Sequence, residues 1–172
     1  MITKSTLPVI ESERLLLRPL TREDLPMTLA WRNQGDIRRW FFHSDVISLD
    51  QHRGWFESYL GKEDDFTFVI EEKGPSSRPI GQVALYHIDW QAMSAEFGRL
   101  MIGDLSARGR GYAKEATGVL VEYAVKHLQL SEVYLELYEH NSDAAALYLA
   151  CGFIETGRRN GIIQMKCSPN PT

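Results

Sequence analysis

Of the 172 residues only two are cysteine, Cys151 and Cys167. They form neither a disulfide framework nor a metal-ligand spacing, and no metal is expected. Two thiols suit a reducing compartment, and Cys151, inside the apolar run LYLACGF, reads as a small core residue. No apolar run is long enough to span a bilayer, and the start MITKSTLPVIESE lacks the apolar core of a signal peptide. The expectation is a cytoplasmic protein with no membrane contact. Basic excess is also missing. Lys and Arg number 19 against 23 Asp and Glu, a formal net charge of −4, which argues against a general nucleic-acid binder. A local anion site is still allowed. Two nucleotide signatures are absent as well. There is no G-x-x-x-x-G-K-S/T run, and Lys114 stands where a dinucleotide fingerprint would need its third glycine after Gly109 and Gly111.

What is present is an ordinary globular composition, 44% hydrophobic and 24% charged. It fits a single domain over residues 1–172 with a core at about 12–167 and a frayed tail CSPNPT. RLLLRPL predicts a first strand. Thr21 can cap a helix starting near Arg22 and running towards Trp31, and SLDQHRGWFESYLGK predicts a second helix, begun by Ser48 or Asp50 and stopped near Gly61. FTFVIEEKG and PIGQVALYHIDW read as neighbouring strands joined by KGPSSRP, with SAEFGRLMIG as the next strand. A helix follows, with apolar residues at Ala116, Val119, Leu120, Tyr123, Ala124 and Leu128. EVYLELYEH is then a strand and NSDAAALYLACGF a helix, capped by Asn141 and stopped at Gly152. A strand, a turn at RRNG and a last strand close the chain. The expected fold class is α/β or α+β, a mixed sheet with helices on both faces.

ARGRGYAKEA, residues 107 to 116, sits between a strand and a helix and combines two glycines with two arginines. Unpaired amides at a helix N-terminus, with the helix dipole behind them, favour an anion there. The bland alternative is a turn whose glycines permit positive φ and whose arginines are solvated.

Arg108-x-x-Gly111-x-Ala113 in this setting resembles the acetyl-CoA loop of the GNAT superfamily of N-acetyltransferases. NSDAAALYLACGF resembles the same family's late Asn…Leu-Tyr-x-x-x-Gly-Phe helix, and ERLLLRPLTREDL its RimJ/RimL-like branch. The resemblance implies a six- to seven-stranded, mostly antiparallel GNAT sheet, splayed at the acetyl-CoA site, with about four helices. It implies acetyl-CoA as donor, its pantetheine arm against the backbone of Leu100, Met101 and Ile102. The pyrophosphate would lie on the loop Arg108, Gly109, Arg110, Gly111, Tyr112 and Ala113. Tyr148 matches the family tyrosine that gives a proton to the leaving thiol, and Asn141 would cap its helix and meet the cofactor arm.

WRNQGDIRRWFFHSDVISLDQHRGWFESYL resembles a segment of bacterial N-acetyltransferases of nucleotide-linked amino sugars, the UDP-linked 4-amino-sugar type above all. That likeness places Trp31, Arg32, Asn33 and His52 on the acceptor side, and His87, outside the segment, is expected to line the same pocket. The base is open between Glu136, a carboxylate mid-strand, Glu96 on the strand beside the presumed thioester, and His87. A RimJ/RimL-like enzyme acting on a protein N-terminus, small amine or antibiotic is the alternative, and a non-catalytic acyl-CoA-binding module a second one. Homodimerisation is left open.

Overall fold

The computed structural model describes residues 2–75 and 77–169, so Ser76 of the KGPSSRP turn and the last three residues of the tail lie outside the described residues. Eight strands form one sheet: β1 (Ile10–Glu11), β2 (Leu15–Pro19), β3 (Phe66–Glu72), β4 (Arg78–Asp89), β5 (Ser94–Ile102), β6 (Glu132–Tyr138), β7 (Ile154–Arg159) and β8 (Ile162–Cys167). Their spatial order is β1-β2-β3-β4-β5-β6-β8-β7. The helices are α1 (Leu25–Arg32), α2 (Gly35–Arg38), α3 (Leu49–Leu60), α4 (Tyr112–Lys126) and α5 (Ser142–Ala150). One strand and one helix exceed the sequence expectation. They are β1, of two residues, and α2, of four, both too short to carry a hydrophobic period. Thr21 caps a 3₁₀ turn, Arg22–Asp24, and the α-helix starts only at Leu25. Ser48 caps α3 by accepting from the Gln51 amide, and Gly61 closes it. No helix among the described residues is long and apolar enough to cross a membrane.

Alternation along β3 sets the layers. Phe66, Phe68 and Ile70 face one side, with Ala116, Leu120 and Ala124 of α4 and Phe153 after α5 in the same core. Val69 faces the other, with Leu20, Leu25, Phe56 and Tyr59 beneath α1 and α3. Both faces are therefore covered, and β3 and β4 read as continuous apolar runs for that reason. Each fully buried Leu, Ile or Phe side chain contributes roughly 1.5–3 kcal/mol.

All neighbouring strands run antiparallel except β5 and β6, which are joined through α4 and so must be parallel. Their pairing is brief, Ser94 with Glu132, Ala95 with Val133 and Glu96 with Tyr134. Beyond Glu96 the two strands part. On the other side of β5 the register with β4 slips, Ala84 facing Gly98 but Gln82 facing Met101. The extra residue lies on β5, and Arg99 within this bulge has φ 53°. A bulge bends its strand and sharpens its twist, which carries the second half of β5 away from β6. A second slip puts an extra residue on β4 between Tyr86 and Asp89, where His87 has φ 48°.

At the end of β5 the chain turns at Gly103, against the ring of Trp31. A Cβ there would stand 1.9 Å from Trp31 Cγ. Gly103→Ala should destabilise the fold by about 1–3 kcal/mol, the usual cost of overpacking. Urea unfolding followed by circular dichroism would measure it. An unchanged midpoint would mean that the Trp31 ring is not fixed against this turn.

Candidate active site

The loop before α4 is a chain of short-range locks. Asp104 accepts from the Ser106 amide at 2.9 Å, and the 3₁₀ turn Leu105–Ala107 leads into Gly109 and Gly111, with φ 75° and 78°. Left-handed backbone at both positions is what glycine supplies without steric cost. Gly111 is the N-cap of α4, and no side chain caps the helix. The amides from Gly109 to Lys114 have no acceptor among the described residues. A set of orphan donors at the start of a 15-residue helix fits an anion such as a pyrophosphate. A Cβ on Gly111 would meet nothing nearer than Arg14 Nη2 at 3.6 Å. Within the protein itself, the positive φ rather than crowding is what requires glycine there.

The arginines of the loop are largely engaged by the protein. Arg108 donates from Nε to Ile102 O at 2.9 Å and from Nη2 to Gln34 Oε1 at 2.9 Å, and its Nη1 pairs with Asp36. Arg110 lies 3.4 Å from Glu72, and its carbonyl accepts from Arg14. Tyr112 donates to Glu72 at 2.5 Å. Glu115 receives Ser12 and both the amide and the side chain of Arg14. Burial pushes the Glu115 carboxyl up, but these bonds win and hold it below the usual range. Ala113 accepts from Thr117 Oγ1 at 2.7 Å.

Where β5 and β6 part, a cleft of about 230 Å³ opens, lined by Glu96, Phe97, Leu100, Glu136, Asn141 and Tyr148 among others. Met101 also lines it, while Ile102 pairs with Gly81 at the end of β5. The edge of β5 facing the cleft has no strand partner past Glu96 among the described residues. Tyr148 stands edge-on to Phe97 and Phe153, with centroids 5.9 and 5.7 Å apart. Burial pushes its phenol well above the usual value, so the hydroxyl keeps its proton. Asn141 Oδ1 caps α5, accepting from Ala144 at 3.3 Å.

The carboxylates separate clearly. Glu136 is exposed on the polar face of β6, so its mid-strand position costs little. Glu96 accepts from Tyr86 Oη at 2.9 Å and lies 3.0 Å from His87 Nδ1. The His87 side chain is 67% exposed and lines neither cavity, so the bulge aims it at Glu96 and solvent.

A second cavity of about 710 Å³ adjoins the first, and Phe41, Tyr86, Arg99 and Met101 line both. Arg32 and His52 line it. His52 meets Thr28 Oγ1 at 3.0 Å and stacks on Trp55, and burial, then the charge of Arg32, lowers its pKa and keeps it neutral. Trp31 and Asn33 are elsewhere. Trp31 packs with Ile37 and Met101, and Asn33 clamps the backbone of Ile47 through both side-chain amide atoms, at 2.8 and 2.9 Å. Sequence reasoning missed Tyr86 and Arg99. The glycine at 98, inside a strand pattern, was the signal for a bulge and for the re-aimed arginine beside it.

Residues 14–154 match the family model for the acetyltransferase (GNAT) domain. Spermidine N(1)-acetyltransferase of Vibrio cholerae is 28% identical over 146 residues, 85% of this chain and 82% of that protein. Alpha/beta-tubulin-N-acetyltransferase 9 of Drosophila melanogaster is 26% identical over 161 residues, 87% and 80% of the two chains. A crystal structure of the Vibrio cholerae spermidine N-acetyltransferase with CoA and spermine superposes with a TM-score of 0.82 at 27% identity, covering 91% of this chain and 96% of that one. The matched span holds the glycine loop, the parted strands and both cavities, and the chain belongs to the GNAT acetyltransferase family, an acetyl-CoA-dependent N-acetyltransferase.

Proposed function

We propose that the protein acetylates a primary amine on a small acceptor held in the larger cavity. The observation that carries this is the pair of adjoining cavities with a common wall, one bounded by the open β5 edge and Tyr148, the other large enough for a small molecule. The donor supplies an activated acetyl thioester. In this reading the amides from Gly109 to Ala113 hold its pyrophosphate, the β5 edge at Leu100, Met101 and Ile102 takes the pantetheine arm, and Arg108 braces the loop. The polyamine and tubulin relatives support amine acetylation in general. They lend no support to the nucleotide-linked sugar suggested by residues 31–60, so the acceptor is proposed at the coarser level of a small amine.

The amine must lose a proton before it can attack. Glu96 is the base we favour over Glu136, because Tyr86 orients it and the exposed His87 beside it offers a path to water. Tyr148 holds a proton at the cleft and can release it to the departing thiolate.

Gly111→Val must leave the left-handed backbone its amides depend on. It should raise the dissociation constant for CoA at least tenfold with the fold intact, measured by calorimetry, and undiminished binding would remove the loop from the donor site. Tyr148→Phe keeps ring and packing but lacks the hydroxyl. Its turnover number should drop by about 10²–10⁴ with CoA affinity preserved, as general acid catalysis predicts. Wild-type turnover under conditions where chemistry limits the rate would return this tyrosine to a packing role.

A further inference from the structure

Arg32 is 8% exposed, yet no carboxylate among the described residues pairs with it. Its Nη2 donates to the His43 carbonyl, and the Phe41 ring lies 4.2 Å from the guanidinium carbon. Its Nη1 is buried with no hydrogen-bond partner among the described residues. Nearby Arg38 repeats the pattern. Its Nε is buried and unpartnered, and its only hydrogen bond among the described residues goes to Ser44 O at 3.3 Å. A buried guanidinium without a counter-charge is a costly arrangement that folding alone does not favour. Arg32 lines the acceptor cavity, and the one carboxylate among the described residues lining it is exposed Asp45, which makes no ion pair with Arg32. Asp65, behind the wall, is already held by both Nη atoms of Arg99 at 2.7 and 3.0 Å.

We infer that the acceptor carries an acidic group, a carboxylate or a phosphate, and that Arg32 binds it. The unpartnered N–H is then the donor reserved for this group, which reaches it as the Phe41 side chain shifts. A polyamine would instead set ammonium groups against an unscreened guanidinium, so this site selects against the acceptor of the spermidine relatives. Guanidinium suits both acidic groups through paired N–H donors. The inference rests on the amine-acetylation reading above and narrows its substrate class.

The test uses CoA-saturated protein and four probes that share a three-carbon amine: β-alanine, 3-aminopropyl phosphate, propylamine and 1,3-diaminopropane. Calorimetry should give at least tenfold tighter binding of one acidic probe than of propylamine, and which of the two wins identifies the acid. R32Q should lower that affinity about 10²-fold, to the level of propylamine, and leave CoA binding unchanged. R32K, which keeps the charge and loses the fork, should fall between. R32Q should also raise the thermal midpoint, because it removes a buried unpaired charge, and a purely structural arginine would give the opposite sign. Preference for the diamine, no binding of either acidic probe, or acidic binding untouched by R32Q and R32K would overturn the inference while leaving amine acetylation standing. Failure of the wild-type protein to bind CoA would instead remove the transferase reading and this inference with it.

Discussion

Arg99 is held in a conformation that its backbone does not favour, and the open sheet depends on it. A non-glycine residue at φ 53° is a strained position, and it persists only where the surroundings fix it. Here Asp65, 4% exposed at its side chain, binds the guanidinium through two nitrogens, Thr67 Oγ1 accepts from it at 3.1 Å, and the Tyr86 and Trp55 rings lie 4.3 and 5.3 Å away. Moving Arg99 away would leave the Asp65 carboxylate buried without its counter-charge, a penalty that opposes relaxation of the bulge. The bulge carries β5 away from β6, the parting opens the small cleft, and the arginine that stabilises the bulge lines both cavities. One side chain therefore sets the path of a strand and forms part of the site the strand opens.

The two halves of the site are also joined mechanically. Arg108, in the glycine loop, reaches Gln34 and Asp36 at the start of α2, and Gln34 Nε2 donates back to Gly103 O at 3.0 Å. Trp31 on α1 packs into the space left by the missing side chain of Gly103. From α2 the chain continues over the cavities, with Trp40 against His140 and Phe42 against Tyr138, while Asn33 pins Ile47. The glycine loop and the segment that runs over the cavities thus share their fixings.

Legibility in the sequence followed the physics of each signal. Long elements with a clear period, such as α4 and β3, were readable, as were caps such as Ser48 and Asn141, because both follow from local chemistry. The glycine loop was readable for the same reason, since two glycines before an amphipathic helix state a backbone requirement. The bulge at His87 was not, because a register slip is decided by the neighbouring strand, and the one at Arg99 left only Gly98 as its trace. The segment resemblance puts Trp31 and Asn33 on the acceptor side, and their surroundings give them other contacts, a turn glycine for one and a loop backbone for the other. Glu136 shows the same limit from the other side, because a strand pattern gives the alternation but not which face meets solvent.

The acceptor chemistry varies where this fold allows it to. The open β5 edge and the amides before α4 are backbone features, so they survive wide sequence divergence and a TM-score of 0.82 at 27% identity is unsurprising. The larger cavity is different in kind. Its walls come mainly from the side chains of residues 28–55, with Gln82, Tyr86, Arg99 and Met101 closing it from the sheet. A side-chain surface can change sign in a few substitutions while the sheet behind it stays as it is. Likeness to a spermidine enzyme therefore speaks for the backbone features common to the fold, while the side chains that line the larger cavity, Arg32 among them, can differ without disturbing it.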